Sequence, residues 1–147
     1  MKQIRENTFE TNSSSAHALV MGYGNVDYDW EITPSADGSI TIPAIDFGEL
    51  EAQKHYNDPL TKASYIALVL REEVIDNDIL PSEEQDLLDE MTEVIKEMTG
   101  ATEVHYAEGG DIGNPLNYDH LKVFKDKESL KKFLFSTDSS FYIAYHG

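Results

Sequence analysis

The amino-acid sequence predicts an α+β fold, with a mainly antiparallel sheet and two to three helices packed on one face. Short segments that are apolar or that alternate apolar and polar residues are typical of strands. Two longer segments repeat apolar residues at three- and four-residue spacing, which is typical of helices. No internal repeat or Pro/Ser-rich linker divides the 147 residues, so we expect one domain over residues 1–147.

The first third of the chain predicts three strands. Residues 16–23 are apolar enough for one strand, and residues 27–33 alternate as a second. Residues 34–38 contain Asp37-Gly38, a pair that suits the positive-φ position of a turn. Residues 39–43 are then expected to return as the hairpin partner of the second strand.

Two helices are predicted in the middle of the chain. Asp58 can cap a helix over residues 60–76, and Pro59 suits its first turn. A second helix begins near Ser82, which has capping-box spacing to Gln85, and ends at Gly100. The apolar stripes are Tyr65, Ile66, Val69, Leu70 and Val74 in the first helix, and Leu87, Leu88, Met91, Val94, Ile95 and Met98 in the second.

The last third predicts short elements around a polar loop. Residues 102–107 read as a strand, 108–120 as a Gly/Asn/Asp-rich loop and 121–124 as a short extended segment. Residues 127–135 predict a helix with Leu130, Phe133 and Leu134 inward, and residues 141–145 a final strand. Strands and helices in this order favour the α+β class.

Composition excludes several kinds of site. The chain has no cysteine, which rules out disulfides, thiolate metal sites and cysteine nucleophiles. The longest apolar stretches, residues 66–70 and 141–145, are too short to cross a bilayer, and residues 1–10 are too polar for a signal peptide. We therefore expect a cytoplasmic location without membrane binding.

Charge is the sharpest compositional feature. The chain has 28 acidic residues against 11 lysines and arginines, a net charge of −17. Residues 6–121 hold 25 of the acids and four of the bases, whereas residues 122–147 hold five lysines and three acids. Such a field repels nucleic acid and favours a basic protein partner, although acids also serve solubility alone.

The polar face of the second predicted helix concentrates this acidity. Acids in the first turn favour the helix dipole, but the later ones do not. The face is either a solvated surface or a docking surface for a basic partner. The candidate partner-binding residues are Glu83, Glu84, Asp86, Asp89, Glu90, Glu93 and Glu97.

A run of hydroxyl residues near the start is the first candidate for chemistry. Ser13, Ser14 and Ser15 are followed by His17, so a serine nucleophile with a histidine base is one interpretation. Hydroxyls and amides could equally hold a phosphate. A structural turn is the alternative, because serine and asparagine often hydrogen-bond the nearby backbone.

Two further places contain carboxylates. Asp119 precedes His120, and Asp119 or Asp111 could orient a histidine or join it around a divalent metal. Glu103 and His105 share a side if their segment is a strand. Asp46 and Glu49 flank a Phe-Gly pair, where capping is the alternative to acid/base work. Further histidines that could supply nitrogen ligands are His17, His55, His105 and His146.

The opening residues also carry a resemblance. Residues 4–17, containing Phe-Glu-Thr-Asn-Ser-Ser-Ser-Ala-His, resemble the start of a family of small uncharacterised proteins from bacteriophages and Gram-positive bacteria. The similarity continues through residues 45–49, 58–65, 118–120 and 133–135, whereas the aromatic residues 140–146 depart from it. The resemblance implies a biological context, and groups Ser13, Ser14, Ser15, His17, Asp119 and His120 as one candidate site.

Two classes of function follow. In the first, a phage or mobile-element accessory protein binds and inhibits a basic, nucleic-acid-handling host protein, such as a nuclease of a defence system, in the host cytoplasm. It works as a nucleic-acid mimic and needs no cofactor or metal. In the second, the Ser/His/Asp residues form a small hydrolase, a transferase, or a site that binds phosphate or metal. We favour binding over catalysis, because the charge is a property of the chain itself, whereas the catalytic site requires distant residues to converge in the fold.

Overall fold

The computed structural model describes residues 15–20, 30, 32–47, 54–112, 123–124, 126–136 and 139–145. Among these residues, no helix combines the length and the apolar character needed to span a bilayer. The described elements are, in chain order, β1 (Ser15–Val20), β2 (Ser39–Ile42), β3 (Lys54–Tyr56), α1 (Pro59–Ile75), α2 (Pro81–Thr99), β4 (Glu103–Tyr106), α3 (Lys127–Phe135) and β5 (Ser140–Tyr145).

The described strands form two sheets. β5 lies between β1 and β3 and is antiparallel to both, and in the backbone register Ile143 is paired with His17 of β1 and with Lys54 of β3. β2 pairs with β4 in parallel, with Ser39 opposite Glu103. The prediction of a mainly antiparallel sheet is therefore wrong, because the second sheet is parallel and separate from the first.

The chain between β2 and β4 explains the parallel pairing. Parallel neighbours need a long crossover connection, and α1 and α2 both fall between these strands. The Gly38 carbonyl, just before β2, accepts hydrogen bonds from the Thr102 N–H (2.8 Å) and hydroxyl (3.2 Å), just before β4. These bonds align the starts of the two strands.

The predicted hairpin of residues 27–33 with 39–43 is also wrong. Residues 32–35 are not in a strand, and the described partner of β2 is β4; residues 27–29 and 31 lie outside the described residues. The turn itself is confirmed. Gly38 has φ 87°, its N–H bonds the Ser35 carbonyl at 2.8 Å, and a Cβ there would lie 2.5 Å from Thr102 Oγ1.

α1 begins and ends as its local sequence dictates. The Asp58 carboxylate accepts the Thr61 N–H at 3.0 Å, and Pro59 occupies the first turn. At the other end Asn77 has φ 63°, and the Asp78 N–H bonds the Glu73 carbonyl at 2.8 Å. This pattern is a Schellman motif with asparagine in the left-handed position.

α2 buries the centre of its apolar stripe, and its polar face is largely exposed. Met91, Val94 and Ile95 are buried, and Gly100 ends the helix with φ 81°. The predicted capping box of Ser82 with Gln85 is wrong, because the N-cap of the helix is Leu80, two residues earlier. Glu83 takes the place predicted for Gln85: its carboxylate accepts a hydrogen bond from the Leu80 N–H at 2.9 Å.

α3 has its predicted bounds and joins the core. The Asp126 carboxylate accepts the Ser129 N–H at 2.7 Å, and Leu130, Phe133 and Leu134 are buried. The predicted extended segment 121–124 is wrong at residues 123–124, which form a short helical turn; residues 121–122 lie outside the described residues. The three helices pack on one another, with α1 also contacting β2 and α2 contacting β4.

Candidate functional site

The predicted Ser/His/Asp site falls largely outside the described residues. Ser13, Ser14, Asp119 and His120 all lie there. The backbone of β1 contains the other two members, with Ser15 opposite Tyr145 and His17 opposite Ile143 in β5. The convergence of these residues into one site therefore stays a prediction.

The predicted pair in β4 is confirmed. Glu103 and His105 lie on one side of the strand, with 3.0 Å between Glu103 Oε1 and His105 Nε2. Both side chains are exposed, at 67% and 58% respectively. Within the ranges that the structure describes, no three His, Asp or Glu side chains come together as a metal site.

The segment that follows β2 has a structural role. Asp46 forms an isolated parallel bridge with Asp111, and the Phe47 N–H bonds the Asp111 carbonyl at 2.7 Å. Phe47 is buried, with its ring edge-on to Tyr65 at 5.4 Å. Gly48 and Glu49 lie outside the described residues, so a shared site of Asp46 and Glu49 stays a prediction.

A cleft between α1 and β4 is too small for a substrate. It is lined by residues such as Ile42, Ser64, Leu68 and Tyr106, and its volume is about 20 Å³. A cavity of this kind needs about 10–15 Å³ to hold one water molecule. The cleft therefore offers room for about one water.

The polar face of α2, predicted to bind a partner, is acidic and largely exposed. Five exposed acids recur at alternating spacings of three and four residues along one side of the helix. We call them the acidic stripe: Glu83, Asp86, Glu90, Glu93 and Glu97. At a rise of about 1.5 Å per residue, the stripe is about 21 Å long. Asp89 is exposed beside it, whereas Glu84 is half-buried.

The acids at the two ends of the acidic stripe make contacts within the protein. Glu83 accepts the Leu80 N–H and so caps α2. Glu97 lies between two lysines of α3, with its carboxylate 3.1 Å from Lys127 Nζ and 2.6 Å from Lys131 Nζ. Hydrogen bonds from Lys131 and Lys127 lower the pKa of Glu97 below its ordinary value.

The middle of the acidic stripe is different. Asp86, Glu90 and Glu93 have no lysine or arginine within 4.0 Å in the part of the chain that the structure describes. Asp89, beside them, accepts a hydrogen bond from the neutral Gln85 amide at 2.9 Å. The lysine-rich end of the sequence thus neutralises one end of the stripe and leaves its centre negative.

The helix packs against a polar contact on its inner side. Thr92 Oγ1 lies 3.0 Å from the hydroxyl of Tyr106 in β4. Burial raises the pKa of Tyr106 to about 12, so this hydroxyl stays protonated at neutral pH. The contact fixes α2 on β4 and with it the orientation of the acidic stripe.

Lys62 is a residue that the sequence reasoning missed. It lies in α1 and is 0% exposed, and its Nζ donates to the carbonyls of Ser136 (3.1 Å) and Ser139 (2.9 Å). Nζ also lies 5.4 Å from the centre of the Phe133 ring. Lys62 lies three residues before Tyr65 and four before Ile66, which places it on the apolar face of the helix. This spacing is the feature of the sequence from which its burial could have been predicted.

We compared the chain with known protein families, curated proteins and solved structures. No protein family, curated protein or solved structure matches the chain.

Proposed function

We propose that this chain is a binding protein whose acidic stripe occupies the basic surface of a nucleic-acid-handling host protein and competes there with the nucleic acid. The observation that carries the proposal is the exposed centre of the stripe, Asp86, Glu90 and Glu93, for which the fold provides no cation among the described residues. A defence nuclease is the kind of partner that we expect.

Helix stability does not account for these three acids. Asp86 and Glu90 are four residues apart, and Glu90 and Glu93 are three apart, so each carboxylate repels its neighbour along the helix. Only the first turn gains from the helix dipole, and these residues lie beyond it. A local cost of this kind is offset when the acids meet cations of a partner.

The geometry suits a surface that binds phosphates. Arginine forms the same paired hydrogen bonds with a carboxylate as with a phosphate. The acids of the stripe recur about every 5 Å along the helix axis, whereas one DNA strand places a charge about every 3.4 Å along its axis. The stripe is thus a regular but weaker line of anionic groups than duplex DNA.

The experiment captures partners with the full chain on beads from a nuclease-treated lysate of a Gram-positive bacterium, eluted along a NaCl gradient. We expect basic, nucleic-acid-binding proteins to elute as the salt rises, because salt screens exposed charges. Each captured protein is then tested for displacement of a fluorescent duplex DNA by the free chain.

The test variant combines Asp86→Lys with Glu90→Lys, and the matched control combines Glu108→Lys with Glu128→Lys. All four positions are exposed, and both variants change the net charge equally. Glu83 and Glu97 are avoided because they cap α2 and pair with α3. We expect the test variant to lose capture and DNA displacement and the control to keep both. Equal capture by the two variants would show that the stripe is not the binding surface.

A further inference from the structure

The turn between α1 and α2 exposes two large apolar side chains, and acidic residues neighbour both of them in the sequence. Ile75 ends α1 and is 62% exposed, and Leu80 precedes α2 and is 63% exposed. In the described part of the chain these are the large hydrophobic side chains that lie open to solvent. We call residues 72–84 the α1–α2 corner.

The α1–α2 corner is also uniformly acidic. It contains six acids and no lysine or arginine, and each of these acids is exposed or half-buried. They are Glu72, Glu73, Asp76, Asp78, Glu83 and Glu84. The apolar pair is therefore bordered by negative charge before, between and after its members, and the corner continues directly into the acidic stripe.

Several hydrogen bonds stabilise the backbone of the corner. The Asn77 N–H bonds the Val74 carbonyl at 3.0 Å, and the Asp78 N–H bonds the Glu73 carbonyl at 2.8 Å. The Leu80 N–H bonds the Glu83 carboxylate, and Ile79 packs against the core. A surface ordered before binding pays less conformational entropy when a partner docks.

We propose that the α1–α2 corner is the anchor of the binding surface, where Ile75 and Leu80 contact the apolar side chains of a lysine- and arginine-rich amphipathic segment of the partner. The charge of the corner selects this occupant, because an acidic border repels an acidic segment and pairs with a basic one. A few buried anchor residues commonly dominate binding energy, with charges setting orientation and rate. The inference rests on the proposed function, since it takes the partner to be basic.

The probes are two synthetic helical peptides of equal positive charge. One carries leucines at every third and fourth position among lysines, and the other has serine in place of each leucine. Binding of each labelled peptide to the full chain is measured by fluorescence anisotropy at several NaCl concentrations. We expect the leucine peptide to bind the natural chain at least about tenfold more tightly than the serine peptide.

The test variant combines Ile75→Ser with Leu80→Ser. Both side chains are exposed, and serine is a preferred residue at the position that Leu80 occupies before α2, so the fold should be kept. Its melting temperature and circular dichroism check this. We expect the variant to bind both peptides equally, at the affinity that the natural chain has for the serine peptide and with an unchanged salt dependence. The conservative variant Ile75→Val with Leu80→Met should restore the preference.

The outcomes separate this inference from the proposed function. If the serine variant keeps its preference for the leucine peptide, the corner is not the anchor, whereas the basic-partner proposal stands. If neither peptide binds the natural chain, the basic-partner proposal fails as well. If sedimentation shows a concentration-dependent dimer that the serine variant lacks, the corner is covered by a second copy, which overturns the assigned occupant.

Discussion

At the scale of single residues, Lys62 shows how one buried cation can organise its surroundings. The ammonium group bonds the carbonyls of Ser136 and Ser139, which flank the connection between α3 and β5. The Lys62 side chain is fully buried, and the centre of the Phe133 ring lies 5.4 Å from its Nζ. Because buried charges are costly unless they are hydrogen-bonded, these two carbonyls decide whether a lysine is tolerated there.

The substitution Lys62→Met tests this role. Methionine keeps the apolar stem and removes the donors, so two buried carbonyls lose a charged hydrogen-bond donor. We expect the free energy of unfolding to fall by about 1–3 kcal/mol in urea titrations. The exposed Lys132→Met variant should change it by less than about 0.5 kcal/mol. An unchanged or more stable Lys62→Met protein would mean that dehydration of the ammonium group offsets its hydrogen bonds.

At the scale of elements, the contact between α2 and α3 links the acidic and basic parts of the chain. Glu97 of α2 accepts bonds from Lys127 and Lys131, which belong to the lysine-rich end of the sequence. Lys131 is only 12% exposed at its side chain, whereas Lys127 is 58% exposed. The Lys131 bond is therefore less screened by solvent than the Lys127 bond.

The pH dependence of this contact has a definite sign. Because the folded-state pKa of Glu97 is lowered, its charged form stabilises the fold above the ordinary glutamate pKa of about 4.3. The stabilisation is lost as the pH falls through the lowered folded pKa. We expect Glu97→Gln to melt at a lower temperature than the natural protein at pH 7, and the difference to vanish at low pH.

The matched control for this experiment is Glu93→Gln. Glu93 is exposed on the same helix and has no ion pair among the described residues. Its substitution should leave the melting temperature at pH 7 unchanged or slightly raised, since it removes a repelling charge. A Glu97→Gln protein whose deficit persists at low pH would show that the ion pairs do not cause it.

At the scale of the whole molecule, the net charge of −17 dominates the behaviour in solution. Like charges on one compact chain repel one another and destabilise the folded state. The exposed acids of α2 and of the α1–α2 corner concentrate that repulsion on neighbouring elements. Under the proposed function, the same field would raise the rate of encounter with a basic partner.

Salt should therefore stabilise this protein. Raising NaCl from about 20 to 300 mM shortens the Debye length severalfold, so we expect a rise in melting temperature of about 2–4 °C. The Asp86→Lys, Glu90→Lys variant should show a smaller rise, because two repelling charges have changed sign. A melting temperature that falls with salt would mean that ion pairs such as those of Glu97 outweigh the overall repulsion.

The local sequence by itself determined the helices of this protein. Asp58, Pro59 and Gly100 mark helix ends through hydrogen bonds and backbone angles within a few residues, and α3 has its predicted bounds. The alternation of Glu103 and His105 on one side of β4 is equally local. The acidic stripe followed directly from residue spacing on a helix.

Tertiary structure alone decided which strands pair and which charged side chains are buried or ion-paired. β2 pairs with β4 because the Gly38 carbonyl meets Thr102, 64 residues further on, and no local pattern encodes that contact. The burial of Lys62 and the neutralisation of Glu97 by α3 also depend on distant contacts. Spacing shows which residues share a face of a helix, but packing determines what that face meets, and so which acids remain available to a partner.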